Sequence, residues 1–148
     1  MDHGMKAAEL FESGYNCAQA VAVAFCDVTG LEPAFAAKMV SSFGGGFGRL
    51  REVCGAVSGM VAVLGLLYGY DTPGDDEIKK AHYAAVQDLC NQFKAQCGSM
   101  ICRELLDNPP SDPNPTPRTA EFYAMRPCTR YVFTAARLVD AYLEEHPL

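Results

Sequence analysis

From Val53 to Tyr70 the chain reads VCGAVSGMVAVLGLLYGY, without a single charged side chain, and no other stretch limits the fold as strongly. A run of this kind must be buried, either in a protein core or in a bilayer. It reaches the lower limit for a membrane span, about 18 residues. However, glycines recur at 55, 59, 65 and 69, Cys54 and Ser58 are polar interruptions, and the flanks lack the lysine and arginine asymmetry that orients a span. The run is therefore read as a buried core helix with no membrane partner. Gly55 and Gly59 lie four apart, share one helical face and let a second backbone approach closely. Ahead of the run, Gly44, Gly45, Gly46 and Gly48 form a cluster that cannot hold a regular element, followed by one basic turn from Arg49 to Glu52. Cys54 stands where this loop becomes helix.

The remaining segments also read as helices. Asp2 can cap a first helix over residues 2 to 13, and Asn16 a second, CAQAVAVAFCDV, that ends before Gly30. Pro33 suits the first turn of a third, running to about Phe43. After the turn Asp71-Thr72-Pro73-Gly74, a long amphipathic helix is expected from about Asp75 to Gln96, with Ile78, Ala81, His82, Ala85, Leu89 and Phe93 near one stripe and Gly98 closing it. Ser99 is placed to cap a short helix, MICRELL. Residues 107–119, DNPPSDPNPTPRT, hold five prolines and read as an irregular surface wrap. Pro127 then opens a last helix, CTRYVFTAARLVDAYLEE. Strand-type alternation is sustained nowhere. The expectation is an all-α, single-domain bundle over 1–148, with five to seven helices around a buried glycine-rich central helix.

With 148 residues, one core is the natural number. A net charge of −6 gives no basic footprint for nucleic acid. The opening MDHGMKAAEL does not read as a secretory signal, so the chain is expected in the cytoplasm. Against that background seven cysteines is heavy usage. An odd number in a reducing compartment argues against a disulfide framework and for metal binding, redox chemistry or packing.

Their positions carry the signal. Cys17 follows the Asn16 cap, Cys54 follows the glycine loop, Cys102 lies three after Ser99, and Cys128 follows Pro127. All four are expected in a first helical turn, where free amides and the helix dipole favour a thiolate. Cys26, Cys90 and Cys97 fall inside helices or at a helix end and read as packing residues, with a reactive Cys90–Cys97 pair as a lesser option. No CxxC is present, so neither a thioredoxin-type dithiol nor a zinc knuckle is indicated, and the absence of CxxCH removes covalent haem attachment. GGGFG is neither GxGxxG nor a P-loop. It is read as a tight approach of backbone to the thiols that could also donate amides to a bound group, which makes Gly44, Gly45, Gly46 and Gly55 the cofactor-binding candidates. Arg49 and Arg51 beside it could favour thiolates or an anionic ligand, although a solvated face is the default. His3, His82 and His146 show no ligand spacing. Tyr15, Tyr68 and Tyr70 are candidates to line a pocket, or simply to pack.

CGAVSG at 54–59, SGYNCAQAVAVAF around Cys17, GSMICRELL around Cys102 and CTRYVFTAARLV after the prolines together resemble the C_GCAxxG_C_C family, named for redox activity, with four characteristic cysteines and a CGAxxG motif. The resemblance covers nearly the whole chain. It selects Cys17, Cys54, Cys102 and Cys128 and implies redox or metal chemistry without naming a substrate.

Two chemical expectations follow from converging thiols, and a third function needs none. In the first, the four cysteines ligate an iron–sulfur cluster or a zinc ion for electron transfer to an unnamed redox partner or for redox sensing. In the second, a metal-free dithiol/disulfide oxidoreductase uses Cys54 as nucleophile and Cys17 or another of the four as resolving thiol. In the third, the cysteines are structural and the Gly55–Gly59 face serves a contact between two copies, so a homodimer is considered as well.

Overall fold

The computed structural model describes residues 2–148, and every regular element among them is helical. Ten α-helical segments occur rather than five to seven: α1 (His3–Glu12), α2 (Cys17–Ala24), α3 (Cys26–Thr29), α4 (Pro33–Met39), α5 (Gly44–Phe47), α6 (Gly55–Tyr68), α7 (Asp76–Cys97), α8 (Cys102–Leu105), α9 (Ala120–Met125) and α10 (Cys128–Glu145), with a 3-10 turn at Ser41–Phe43. The surplus consists of α5 and α9, which are too short for a hydrophobic period to show in sequence, and of α3, which Phe25 separates from the expected second helix. The α5 segment is helical in hydrogen bonding only. Gly45 and Gly46 lie in the left-handed region at φ 66° and 70°, so the cluster bends the chain back, as no regular element could.

The long helices begin where their caps dictate. Asp2 accepts from the Met5 amide at the head of α1. Asn16 and Gln19 form a reciprocal capping box on α2, satisfying two otherwise orphan amides. Asp75 accepts from the Glu77 and Ile78 amides at the start of α7, and Gly98 ends that helix in a left-handed conformation.

The core forms where α1, α2, α6 and α10 meet. Phe11, Phe25, Met60, Leu64, Val132 and Val139 are fully buried there. The first half of α6, Gly55 to Met60, is buried throughout. Its small residues bring α2 close: a Cβ on Gly59 would stand 2.8 Å from the Ala18 carbonyl oxygen, and one on Gly55 3.1 Å from the Cys17 Cβ. The Gly55–Gly59 face is therefore covered by α2 of the same chain and is not open to a second copy. Only the second half of α7 joins the core, through Leu89 and Phe93, whereas Ile78 at its start is exposed. The expected stripe thus buries only in part, because the helix outruns what it packs on.

One polar cluster ties the ends of the chain together. His3 is buried against Phe25, and its ring nitrogens meet Asp140 on α10 at 2.6 Å and Asp27 on α3 at 3.0 Å. Residues 107–119 contain no regular element and close over the glycine loop. Arg49 Nε donates to the Asp112 carbonyl and Nη1 to Thr116 Oγ1, both at 2.8 Å, while Arg51 Nε donates to the Pro110 carbonyl at 2.9 Å. Among the described residues no helix is long and apolar enough to cross a membrane.

Candidate functional site

Three devices bring distant cysteines together. Cys17 and Cys128 are the first residues of α2 and α10, and both helices pack on α6, whose N-cap is Cys54. Cys54 and Cys102 are joined by a short antiparallel pairing of Val53 with Ile101. In it the Cys54 amide donates to the Met100 carbonyl at 2.8 Å and the Cys102 amide to the Glu52 carbonyl at 2.6 Å. Arg103 reinforces it from outside with an ion pair to Glu52 at 2.6 Å. The glycine loop supplies the third device. A Cβ on Gly46 would lie 2.7 Å from the Glu52 amide nitrogen and 2.8 Å from the Cys102 Cβ, so only glycine lets this backbone reach the thiols.

All four cysteines line one cavity of about 240 Å³. Gly44, Gly45, Gly46 and Gly55 line it too, so every residue expected to bear the site is found there. Each of the four cysteines also stands at a helix start, as Cys102 opens α8 with Ile101 as its cap. The cap is not Ser99, whose hydroxyl instead accepts from the Ile101 amide and donates to Glu104. All seven cysteines are free thiols.

Four guanidiniums share the wall: Arg49, Arg51, Arg118 and Arg126. No carboxylate lines the cavity among the described residues. Arg118 and Arg126 lie outside the positions that sequence reasoning singled out. Arg126, two residues ahead of Cys128, was open to inspection, but Arg118 reaches the site only because the proline-rich segment folds back. Arg118 is anchored there by donating to the Phe11 and Tyr15 carbonyls and stacking 4.5 Å from the centre of the Phe11 ring. The aromatic candidates Tyr15, Tyr68 and Tyr70 do not line the cavity; Tyr131, which was not among them, does.

The local electrostatics separate the thiols. Cys128 is lowered to about 7, first by its interaction with the Cys17 thiol and then by the charges of Arg126 and Arg118, which together outweigh burial. Cys17 is raised by the same interaction with Cys128, by burial and by the other cysteines. The first proton lost from the pair therefore leaves its charge centred on Cys128. Cys54 goes the other way from the expected low-pKa nucleophile. Burial pushes it up to about 12 despite the Ala56 and Val57 amides at the start of α6, which do not close into a capping hydrogen bond. Helix position alone is too weak to charge a thiol that is only 5% exposed. Cys102 is raised by burial and partly restored by Arg51, whose Nη1 lies 3.7 Å from its sulfur.

The donor chemistry of four thiols suits soft metals, yet among the described residues no three His, Cys, Asp or Glu side chains stand close enough to hold one ion. Cys26, Cys90 and Cys97 lie away from the cavity, and burial raises each of them, in keeping with a packing role.

No curated protein and no solved structure matches the chain. Residues 15–142 match the profile of the family described as "Putative redox-active protein (C_GCAxxG_C_C)", and those residues span all four cavity cysteines and the Cys54–Gly59 motif. The chain belongs to that family.

Proposed function

We propose that this is a cytoplasmic redox-active protein whose working centre is the Cys17–Cys128 pair, cycling between dithiol and disulfide inside the arginine-walled cavity. The observation that carries this reading is that Cys17 and Cys128, the first residues of α2 and α10, line one cavity, with the charge drawn to Cys128. A nucleophilic thiolate beside a protonated thiol is the arrangement that thiol–disulfide exchange needs: the first attacks, the second resolves. The Cys17 thiol first, and then Arg126 and Arg118, favour the Cys128 thiolate near neutral pH, and the buried half of α6, around which the site is organised, keeps bulk water from one side. The acidic net charge gives nucleic acid no purchase. Thiol titration across a series of defined redox potentials tests the reading: two thiols should disappear together in the wild type and none in Cys128→Ser. An unchanged thiol count over a wide range of potentials rejects it.

A second reading has its own support. Cys54 and Cys102 line the same cavity as the pair, and a polynuclear iron–sulfur cluster holds its four thiolates further apart than a single ion does. Cys17, Cys54, Cys102 and Cys128 would be its ligands, and the cluster would supply one-electron transfer. Anaerobic purification with iron and sulfide analysis separates the two readings. Stoichiometric iron with a visible charge-transfer spectrum selects the cluster, and a colourless protein with intact thiols selects the dithiol.

A further inference from the structure

We infer that the cavity is a binding site for a small organic anion, a carboxylate-bearing molecule with an apolar stem, whose carboxylate is taken by Arg51. Arg51 is only 4% exposed, and its Nη2 is buried with no hydrogen-bond partner among the described residues. Its Nε is satisfied by the Pro110 carbonyl and its Nη1 by Cys102, so the unpaired nitrogen is a single, defined vacancy on a residue that lines the cavity. Leaving a buried donor on a charged group unpaired costs about 1–3 kcal/mol or more, which an arginine serving packing alone would not retain. Apart from the Cys128 thiolate, no anionic side chain in the wall offsets the charge. Arg49, Arg118 and Arg126 share the cavity with no carboxylate, and Arg49 is held below its ordinary range by burial and by repulsion from Arg51 and Arg126. The loop carrying Arg49 and Arg51 is also strained: Phe47, Arg49 and Arg51 sit at φ 66°, 71° and 63°. Each costs roughly 1–2 kcal/mol without the freedom of glycine. Phe11, Phe122, Leu105 and Leu106 line the rest and would cover an apolar stem, which an inorganic oxyanion lacks.

Resting on the dithiol reading, the inference names a substrate class: low-molecular-weight disulfides that carry carboxylates. The Cys128 thiolate attacks one substrate sulfur, forming a mixed disulfide as the substrate S–S bond breaks and one carboxylate-bearing thiolate departs. Cys17 passes its proton to a departing thiolate, and its sulfur attacks Cys128 Sγ, forming the Cys17–Cys128 bond and releasing the second half. The protein dithiol is oxidised by two electrons and the substrate is reduced to one thiol and one thiolate.

The test has a reactive arm and a binding arm. Reduced wild-type protein is treated with three disulfides of different charge, 3,3′-dithiodipropionate, 2-hydroxyethyl disulfide and cystamine, and each rate is divided by that of the same disulfide with free 2-mercaptoethanol to remove the leaving-group difference. Loss of the Cys17 and Cys128 thiols should be about 10- to 100-fold faster with the dianion than with the neutral probe, and slowest with the dication. Arg51→Gln should reduce that anionic-to-neutral ratio at least tenfold. In the binding arm, suberate, the carbon counterpart of the dianionic probe, is titrated calorimetrically against 1,6-hexanediol and sulfate. Suberate binding well above both supports the inference, even if no disulfide reacts, in which case only the dithiol reading falls. Suberate binding no better than the diol, or matched by sulfate, overturns the inference whatever the thiols do. Where the disulfides do react, equal normalised rates for the three overturn it too.

Discussion

Replacing Cys17 by alanine removes the largest influence that lowers Cys128 while leaving the Cys128 side chain in place. Its burial stays, and Arg126 and Arg118 only partly oppose it. A full return from about 7 to the ordinary 9.0 would cut the thiolate fraction at pH 7 from about one half to about 1%, roughly 50-fold. The remaining thiolate is more basic and, at a Brønsted slope near 0.45, about eightfold more nucleophilic. The net loss in alkylation rate at pH 7 is therefore about sixfold, and the more telling change is in the pH profile. The rate of Cys128 modification by iodoacetamide, followed on its own peptide by mass spectrometry, should rise with pH and level off above about 7 in the wild type. Below that midpoint protonation removes the nucleophile, so the rate should fall about tenfold per pH unit. In Cys17→Ala the midpoint should move up towards 9. A midpoint that stays near 7 in the variant refutes the argument that the neighbouring thiol sets the charge on Cys128.

Two further substitutions test what holds the site. Gly46→Ala forces a Cβ against the Glu52 amide nitrogen and the Cys102 Cβ at a φ of 70°, so urea denaturation should show a loss of roughly 2–4 kcal/mol; a loss under about 0.5 kcal/mol would mean the loop does not need glycine there. His3→Ala removes the bridge between Asp27 and Asp140, far from the cavity, and should lower stability by about 2–3 kcal/mol, as hydrogen bonds to charged groups are worth, with Cys128 reactivity unchanged.

The caps and the glycines made much of this fold readable. Asn16, Asp75 and Gly98 mark helix ends that the structure keeps, because each acts through its own neighbours along the chain. The cysteine positions were legible for the same reason: Asn16, Pro127 and the glycine loop place Cys17, Cys128 and Cys54 at helix starts. What brings them together was not legible. The Val53–Ile101 pairing joins residues that no local pattern connects, and Arg118 enters the wall from a proline-rich stretch whose course no periodicity describes. The order of thiol acidity escaped too. A helix start implies a low pKa for Cys54, but its burial is a tertiary property and wins over two nearby amides.

The pairing itself is open to direct measurement. The reduced protein, oxidised with a single equivalent of a small disulfide, trapped in acid and digested, should give one new cross-linked peptide pair, joining Cys17 to Cys128, with Cys26, Cys90 and Cys97 recovered as thiols. Recovery of Cys17 and Cys128 as free thiols while another pair closes, or while none does, would contradict the account.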